Sequence, residues 1–140
     1  MRKIGLVIGL LIMVSQGLSA SSASAATPVE IQKGFEAAAR DGASGFSGFS
    51  AQRGELFFKA RHGNDWSCDT CHTANPLTLG RHVKTGKEIA PLAPLANPQR
   101  FTDAAKVDKW FKRNCNDVLN RPCTAREKGD VLEYLISLKQ

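Results

Sequence analysis

Five residues near the middle of the chain, "CDTCH" from Cys68 to His72, constrain its fold more than any other feature. Two thiols at this spacing reach the two vinyl groups of a haem, and the adjacent imidazole can bind the iron. We therefore predict one covalently attached haem c. Cys68 and Cys71 are the expected attachment residues, and His72 is the expected proximal ligand.

Three other uses of this motif fit the sequence less well. A structural zinc site needs a second ligand pair at finger-like spacing, but Cys115 and Cys123 lie too far apart and no His-x-x-x-His completes a set. A thioredoxin-like redox pair belongs to a βαβ pattern, and no strand pattern precedes this motif. A disulfide between Cys68 and Cys71 leaves the adjacent His72 without a role.

Residues 1–25 have the composition of a secretory signal peptide. Arg2 and Lys3 precede an apolar run from Ile4 to Val14, and small residues stand at Ala23 and Ala25. The apolar run is shorter than the ~20 residues that a membrane-spanning helix needs. We expect cleavage near Ala25, a periplasmic location and no membrane span in the mature chain.

The mature chain is predicted to be short and mildly basic. Its core is modest for its length, and a covalent haem would supplement it. Loss of Arg2 and Lys3 lowers the formal net charge from +6 to +4. Nucleic-acid binding usually needs a denser basic face, so we expect no nucleic-acid partner. Four basic residues are candidates for contacts with haem propionates, with ordinary solvated surface as the alternative for each: Arg81, Lys84, Lys87 and Arg100.

Hydrophobic spacing predicts an all-α chain in two parts. Residues 26–50 are expected to form one helix over 27–41, followed by a linker rich in glycine and serine. Residues 51–140 are expected to form a single haem domain. Its helices are predicted over 51–63, over 101–119 and after Thr124, with a loop between residues 75 and 98 at the haem edge.

Local signals locate the ends and contacts of these helices. Ser50 is a candidate N-cap, and Thr124 with Glu127 has the spacing of a capping box. Gly54 lies inside a predicted helix, where glycine costs ~1 kcal/mol relative to alanine. We therefore expect a close helix crossing at Gly54.

The second cysteine pair is predicted to form a disulfide. Once Cys68 and Cys71 hold the haem, pairing of Cys115 with Cys123 is the default in an exported protein. A continuous helix would separate their Cα atoms by ~12 Å, beyond the ~7 Å limit for a disulfide. We expect the helix to end between them, near Pro122.

The sixth iron ligand is the open question in this sequence. Methionine is a common distal ligand in c-type cytochromes, but Met1 and Met13 both lie in the predicted signal peptide. The remaining side-chain candidates are several lysines and four named residues: His62, His82, Asn114 and Asn116. An alternative role for Asn114 is helix C-capping, which asparagine favours.

Four stretches resemble those of a known family, the SHP-type (sphaeroides haem protein) cytochromes, which are small periplasmic oxygen-binding proteins. They are "CDTCH", "KTGKEIAPLAP", "RFTDAAKVDKWFKRNCNDV" and "CTAREKGDVLEYL", and they cover most of residues 53–140. The resemblance implies a class I cytochrome c fold with His72 as the proximal ligand and a disulfide at Cys115. It implies Asn114 as the distal ligand, or Asn116 if the alignment shifts within the loop.

The resemblance also implies a function. Reversible binding of O₂ or NO to the reduced haem is expected, with CO as a further diatomic ligand and a dihaem c-type cytochrome as electron donor. An amide is a weak ligand that suits ferric better than ferrous iron, so reduction should release Asn114. Two alternatives stay open: an electron carrier that keeps His82 or His62 as distal ligand, and an oxidase or peroxidase with His82 as acid-base group.

Overall fold

The computed structural model describes residues 25–42 and 44–139, so the predicted signal peptide lies almost entirely outside it. Within these ranges, five helices and one small hairpin follow one another: α1 (Pro28–Gly42), α2 (Ala51–Lys59), α3 (Asp69–His72), β1 (Gly80–Arg81), β2 (Glu88–Ile89), α4 (Ala104–Leu119) and α5 (Ala125–Ser137). No helix within the described ranges is long and apolar enough to cross a bilayer.

The centre of the fold is the crossing of α2 with α5. A Cβ on Gly54 would overlap the carbonyl oxygen of Asp130 and would lie 3.0 Å from the Cβ of Tyr134. The close crossing expected at Gly54 is therefore confirmed. Phe58, one turn further along α2, is fully buried against Tyr134 and Leu135.

Helix α1 packs on the other side of α5 and shares its core. Ile31 is buried with Val107 and Leu132, and Phe35 meets Phe111 edge-on at 5.9 Å between ring centroids. The buried Gln32 donates through Nε2 to the Gly129 carbonyl at 3.2 Å and to a Glu133 carboxylate oxygen at 2.6 Å. The N-terminal helix thus belongs to the same core as the helices that follow the linker.

A buried carboxylate fixes the segment between α1 and α2. Asp130 on α5 accepts hydrogen bonds from the backbone N–H of Ser50 at 2.7 Å and from Arg53 through Nε and one terminal nitrogen, both at 2.8 Å. The guanidinium of Arg53 also donates to the Gly48 carbonyl at 2.8 Å. Ser50 caps α2 as predicted, because its side chain accepts from the Arg53 N–H.

Helix α4 begins and ends at clear signals. Asp103 caps its start by accepting from the Lys106 N–H, and Asn120 ends it in the left-handed conformation at φ 59°. The expected disulfide is present between Cys115 and Cys123, with a Cα–Cα distance of 5.6 Å. The helix therefore ends between the cysteines, as predicted, and the C-cap role considered for Asn114 is wrong.

The segment expected to be a loop contains a hairpin. Gly80 pairs with Ile89 and Arg81 pairs with Glu88 in antiparallel register. Each strand is only two residues long, too short to leave an alternating hydrophobic pattern in the sequence. Gly86 allows the turn through its positive φ of 67°.

Candidate haem site

The CDTCH motif lies on a short helix between the central core and the hairpin. Cys68 precedes α3 and packs against the cluster around Phe58, whereas Cys71 lies within the helix. The two half-buried thiols are not joined to each other. A Cβ on Gly80 would collide with the Cys71 carbonyl oxygen, and the Val83 N–H lies 3.5 Å from the Cys71 sulfur. The glycine therefore lets β1 approach the motif.

His72 ends α3 in an environment that keeps its imidazole neutral. Its ring is half-buried and lies 6.5 Å from the Phe58 ring, centroid to centroid. Burial lowers the pKa of His72 to about 4, and the positive charge of Arg100 acts in the same direction. A neutral imidazole has a nitrogen lone pair that can bind a metal at neutral pH.

The Cys68 thiol is also held in its neutral form. Burial raises the pKa of Cys68 to about 12, and the negative charge of Asp69 adds to this effect. Reactivity of a cysteine depends on its thiolate, so the raised pKa makes this thiol less reactive toward oxidants at neutral pH. The environment suits a sulfur that forms a permanent thioether rather than one that cycles in redox exchange.

The four basic residues proposed for propionate contacts occupy different settings. Arg100 is half-buried near His72 and donates to the carbonyls of Pro91 at 3.0 Å and Ala90 at 2.8 Å. Arg81 donates to a carbonyl of the hairpin turn, and the Lys84 ammonium lies 4.8 Å from the centre of the Trp66 ring. These two side chains and Lys87 are exposed.

Both histidines proposed as distal ligands contact nearby backbone groups. His62 Nε2 lies 2.9 Å from the Phe57 carbonyl, so that nitrogen carries the proton and donates to the carbonyl. His82 accepts from the Thr85 N–H through Nδ1 at 3.3 Å inside the hairpin turn. Both rings take part in local turns of the backbone.

The two candidate asparagines lie on different faces of α4. At ~100° per residue, Asn114 falls within ~40° of Val107 and Val118, whereas Asn116 lies ~180° from Val107. Asn114 is nevertheless exposed, and its side chain has no hydrogen bond to any described residue. Asn116 instead lines a cavity of about 350 Å³ with Asn64, Trp66, Lys84 and Asp117.

The residues around the motif fit a covalently held haem c. Two thiols that are not joined to each other and one neutral imidazole lie within the five residues of the motif. Apolar side chains beside it are accessible to water: Leu79 is 54% exposed and Val83 is 46% exposed. Apolar surface of this kind beside a thiol pair is suited to a porphyrin face. Cys68, Cys71 and His72 are the residues that would hold it.

Comparisons with known proteins agree with this geometry. Residues 44–135 match the family described as "Domain of unknown function (DUF1924)". The chain is 47% identical over 113 residues to cytochrome c-type protein SHP of Cereibacter sphaeroides, covering 78% of this chain and 82% of that protein. The structure of oxidised SHP, described as an oxygen-binding cytochrome c, matches with a TM-score of 0.70 and 44% identity over 81% of this chain and 99% of that one.

A second relative comes from Methylophilus methylotrophus. The solution structure of its cytochrome c'' matches with a TM-score of 0.71 and 34% identity, over 81% of this chain and 94% of that one. The fold and the relatives together define a class I c-type cytochrome with one covalent haem c. The chain belongs to the family of cytochrome c-type protein SHP.

Two features of this site were not predicted from the sequence. One is the contact of Val83 with Cys71, which depends on the unexpected hairpin. The other is Trp110, whose side chain is 49% exposed. Its proximity in sequence to Asn114 was the only available signal.

Proposed function

We propose that this protein is a redox-linked gas-binding cytochrome in which Asn114 is a weak distal ligand. Cys68 and Cys71 are the thioether attachment residues, and His72 is the permanent proximal ligand. Reduction weakens the bond to Asn114, which then leaves the sixth position to O₂ or NO. The haem supplies the one-electron couple and the gas-binding iron, and the chain determines when that iron is accessible.

The observation that carries this proposal is the position of Asn114 on α4. It shares a helical stripe with the buried Val107 and the half-buried Val118, and its amide is exposed with no hydrogen bond to any described residue. An exposed amide without a protein partner is hydrated and can exchange that water for another group. A haem iron opposite His72 would be that group.

The chemistry of an amide explains release on reduction. Amide oxygen is a hard, neutral ligand and binds the harder ferric ion better than the ferrous ion, which prefers softer partners. The neighbouring disulfide from Cys115 to Cys123 restrains the end of α4. We expect the Asn114 side chain to rotate away and return while the helix backbone stays in place.

The relatives support both parts of the proposal. SHP is described as oxygen-binding, and the solution study of cytochrome c'' concerns the structural basis of haem-ligand detachment. The resemblance to SHP-type cytochromes also supports a periplasmic location and a dihaem c-type cytochrome as electron donor. Residues 1–25 would then be the signal peptide, and residues 51–140 the haem domain.

An electron carrier with a histidine distal ligand is the alternative function. The observation in its favour is the location of His82, which immediately precedes the residue that contacts the Cys71 sulfur. His82 is therefore near the haem edge. Against this alternative, the hairpin that holds His82 packs on α3, the same helix that carries the proximal candidate His72.

Visible absorption spectra of the haem-loaded protein test the proposal. A low-spin ferric spectrum that becomes high-spin on reduction with dithionite and then shifts with CO supports a ligand that leaves. Asn114→Ala should give a high-spin ferric spectrum, whereas the matched control Asn116→Ala should keep the parent spectrum. Low-spin spectra in both oxidation states, unaffected by CO and lost in His82→Ala, would establish the electron carrier instead.

A further inference from the structure

Trp110 is a large apolar side chain on α4 that the protein core does not cover. It is 49% exposed and belongs to neither of the buried apolar clusters found among the described residues. Its neighbour Phe111 contrasts with it, because that ring meets Phe35 at 5.9 Å and packs against both clusters. Phe111 therefore packs into the core, whereas the preceding residue, Trp110, does not.

The position of Trp110 brings it next to Asn114. Residues four apart on a helix are neighbours, with Cβ atoms ~5–6 Å from each other. Helical side chains also lean toward the N-terminus of their helix, so the Asn114 side chain lies over the turn that contains Trp110. Any small molecule that occupies the place of the Asn114 amide must therefore approach the indole.

A second contact restrains the indole on its other side. The Arg113 guanidinium lies 5.6 Å from the centre of the Trp110 ring, and Arg113 Nε lies 3.9 Å from an Asp117 carboxylate oxygen. Around the helix axis, Trp110 lies between Asn114 and Arg113, ~40° from Asn114 and ~60° from Arg113 in the opposite direction. The cation faces solvent, and it limits how far the ring can turn outward.

We infer that Trp110 covers the distal position beside Asn114 and limits the rate at which a diatomic gas reaches the iron. This role rests on the proposed ligation of the iron by Asn114. It adds to the proposed function a residue that controls the access of gas to the iron. Arg113 is a positioning residue that acts through the indole. The ring leaves ligation by Asn114 unchanged and slows only the passage of an incoming gas.

Flash photolysis of the CO complex of the reduced holoprotein tests this inference. Trp110→Ala should raise the bimolecular CO association rate about tenfold, which corresponds to ~1.4 kcal/mol of the barrier. Trp110→Phe retains a smaller ring and should give a smaller increase in the same direction. Lys109→Ala is the matched control, since it removes an exposed side chain from the adjacent position and should keep the parent rate.

Ferric spectra of the same variants separate access from ligation. Trp110→Ala should keep the low-spin ferric spectrum of the parent, because Asn114 is still present. Arg113→Gln should also keep it while raising the CO association rate by less than Trp110→Ala does, and Arg113→Lys should restore the parent rate because an ammonium can also lie over the ring.

The outcomes distinguish the two proposals. If the reduced parent binds CO but both Trp110 variants associate with it at the parent rate or more slowly, the access role of Trp110 is refuted and the role of Asn114 stands. If the reduced parent does not bind CO, the distal-ligand proposal fails and the access role fails with it. If Trp110→Ala does not fold, the rate of Trp110→Phe decides alone.

Discussion

Replacing Gly54 with alanine should destabilise the protein although alanine is the better helix former. Helix propensity alone would favour the change by ~1 kcal/mol. The added methyl group, however, would overlap the Asp130 carbonyl oxygen and approach the Tyr134 Cβ to 3.0 Å. The colliding atom belongs to the backbone of α5, so no change of rotamer relieves the overlap and the two helices must move apart.

The size of the loss follows from these opposing effects. Overpacking of a well-packed interior costs about 1–3 kcal/mol, and a collision with backbone belongs at the upper end of that range. Separation of α2 from α5 would also loosen the contacts of Phe58, which is completely buried. After subtraction of the propensity gain, we expect Gly54→Ala to lower the free energy of unfolding by about 2 kcal/mol.

Guanidinium unfolding of the ferric holoprotein, followed by far-UV circular dichroism, measures this loss. Gly34→Ala is the matched control, because Gly34 also lies inside a helix but a Cβ there would meet no atom within 4 Å. That substitution should stabilise the protein by ~0.5–1 kcal/mol. Equal stability of Gly54→Ala and the parent would refute the reasoning, and so would an equal loss in both variants.

Three further substitutions test other contacts by the same unfolding measurement. Asp130→Asn should cost about 1–3 kcal/mol because it leaves the partly buried Ser50 N–H and Arg53 guanidinium poorly paired, and an unchanged midpoint would contradict this. Burial opposes ionisation of Glu127, but hydrogen bonds from Arg121 and from the Thr124 backbone outweigh it and lower the pKa of Glu127. Glu127→Gln should therefore be less stable than the parent by ~1 kcal/mol at pH 7. The stabilisation from a lowered pKa is complete above the unfolded pKa of ~4 and is lost as the pH falls through the folded pKa, so the difference should close in acid. A difference that persists at pH 2 would exclude this cause. Replacing both Cys115 and Cys123 with serine should cost about 2.6 kcal/mol for so short a loop, and a loss that disappears on reduction of the parent would confirm the disulfide as its source.

The parts of the fold that the sequence predicted correctly have local causes. The capping box of Thr124 and Glu127 depends on residues three apart, and both of its hydrogen bonds are present. The end of α4 before Cys123 follows from the reach of a disulfide. Gly54 was informative because a glycine inside a helix has a cost that a close helix contact can offset.

The features that were missed depend on contacts between distant residues. The hairpin of β1 and β2 is too short to show a pattern, and its position depends on the contact of Gly80 with Cys71. Asp130 and Arg53 are 77 residues apart, so nothing local indicates that they meet. In the site, the spacing of the motif alone predicts Cys71 as an attachment residue. The identity of the distal ligand, in contrast, depends on which face of α4 meets the haem.

Helix α5 supplies many of the core contacts, so the time at which it docks is important while the protein is being made. The helix packs against both α1 and α2, and the cluster that receives Cys68 includes Val131 and Leu135 from α5. These partners are made last, and pairings so distant in sequence form slowly. We therefore expect the Cys68 sulfur to stay accessible for haem attachment until α5 docks.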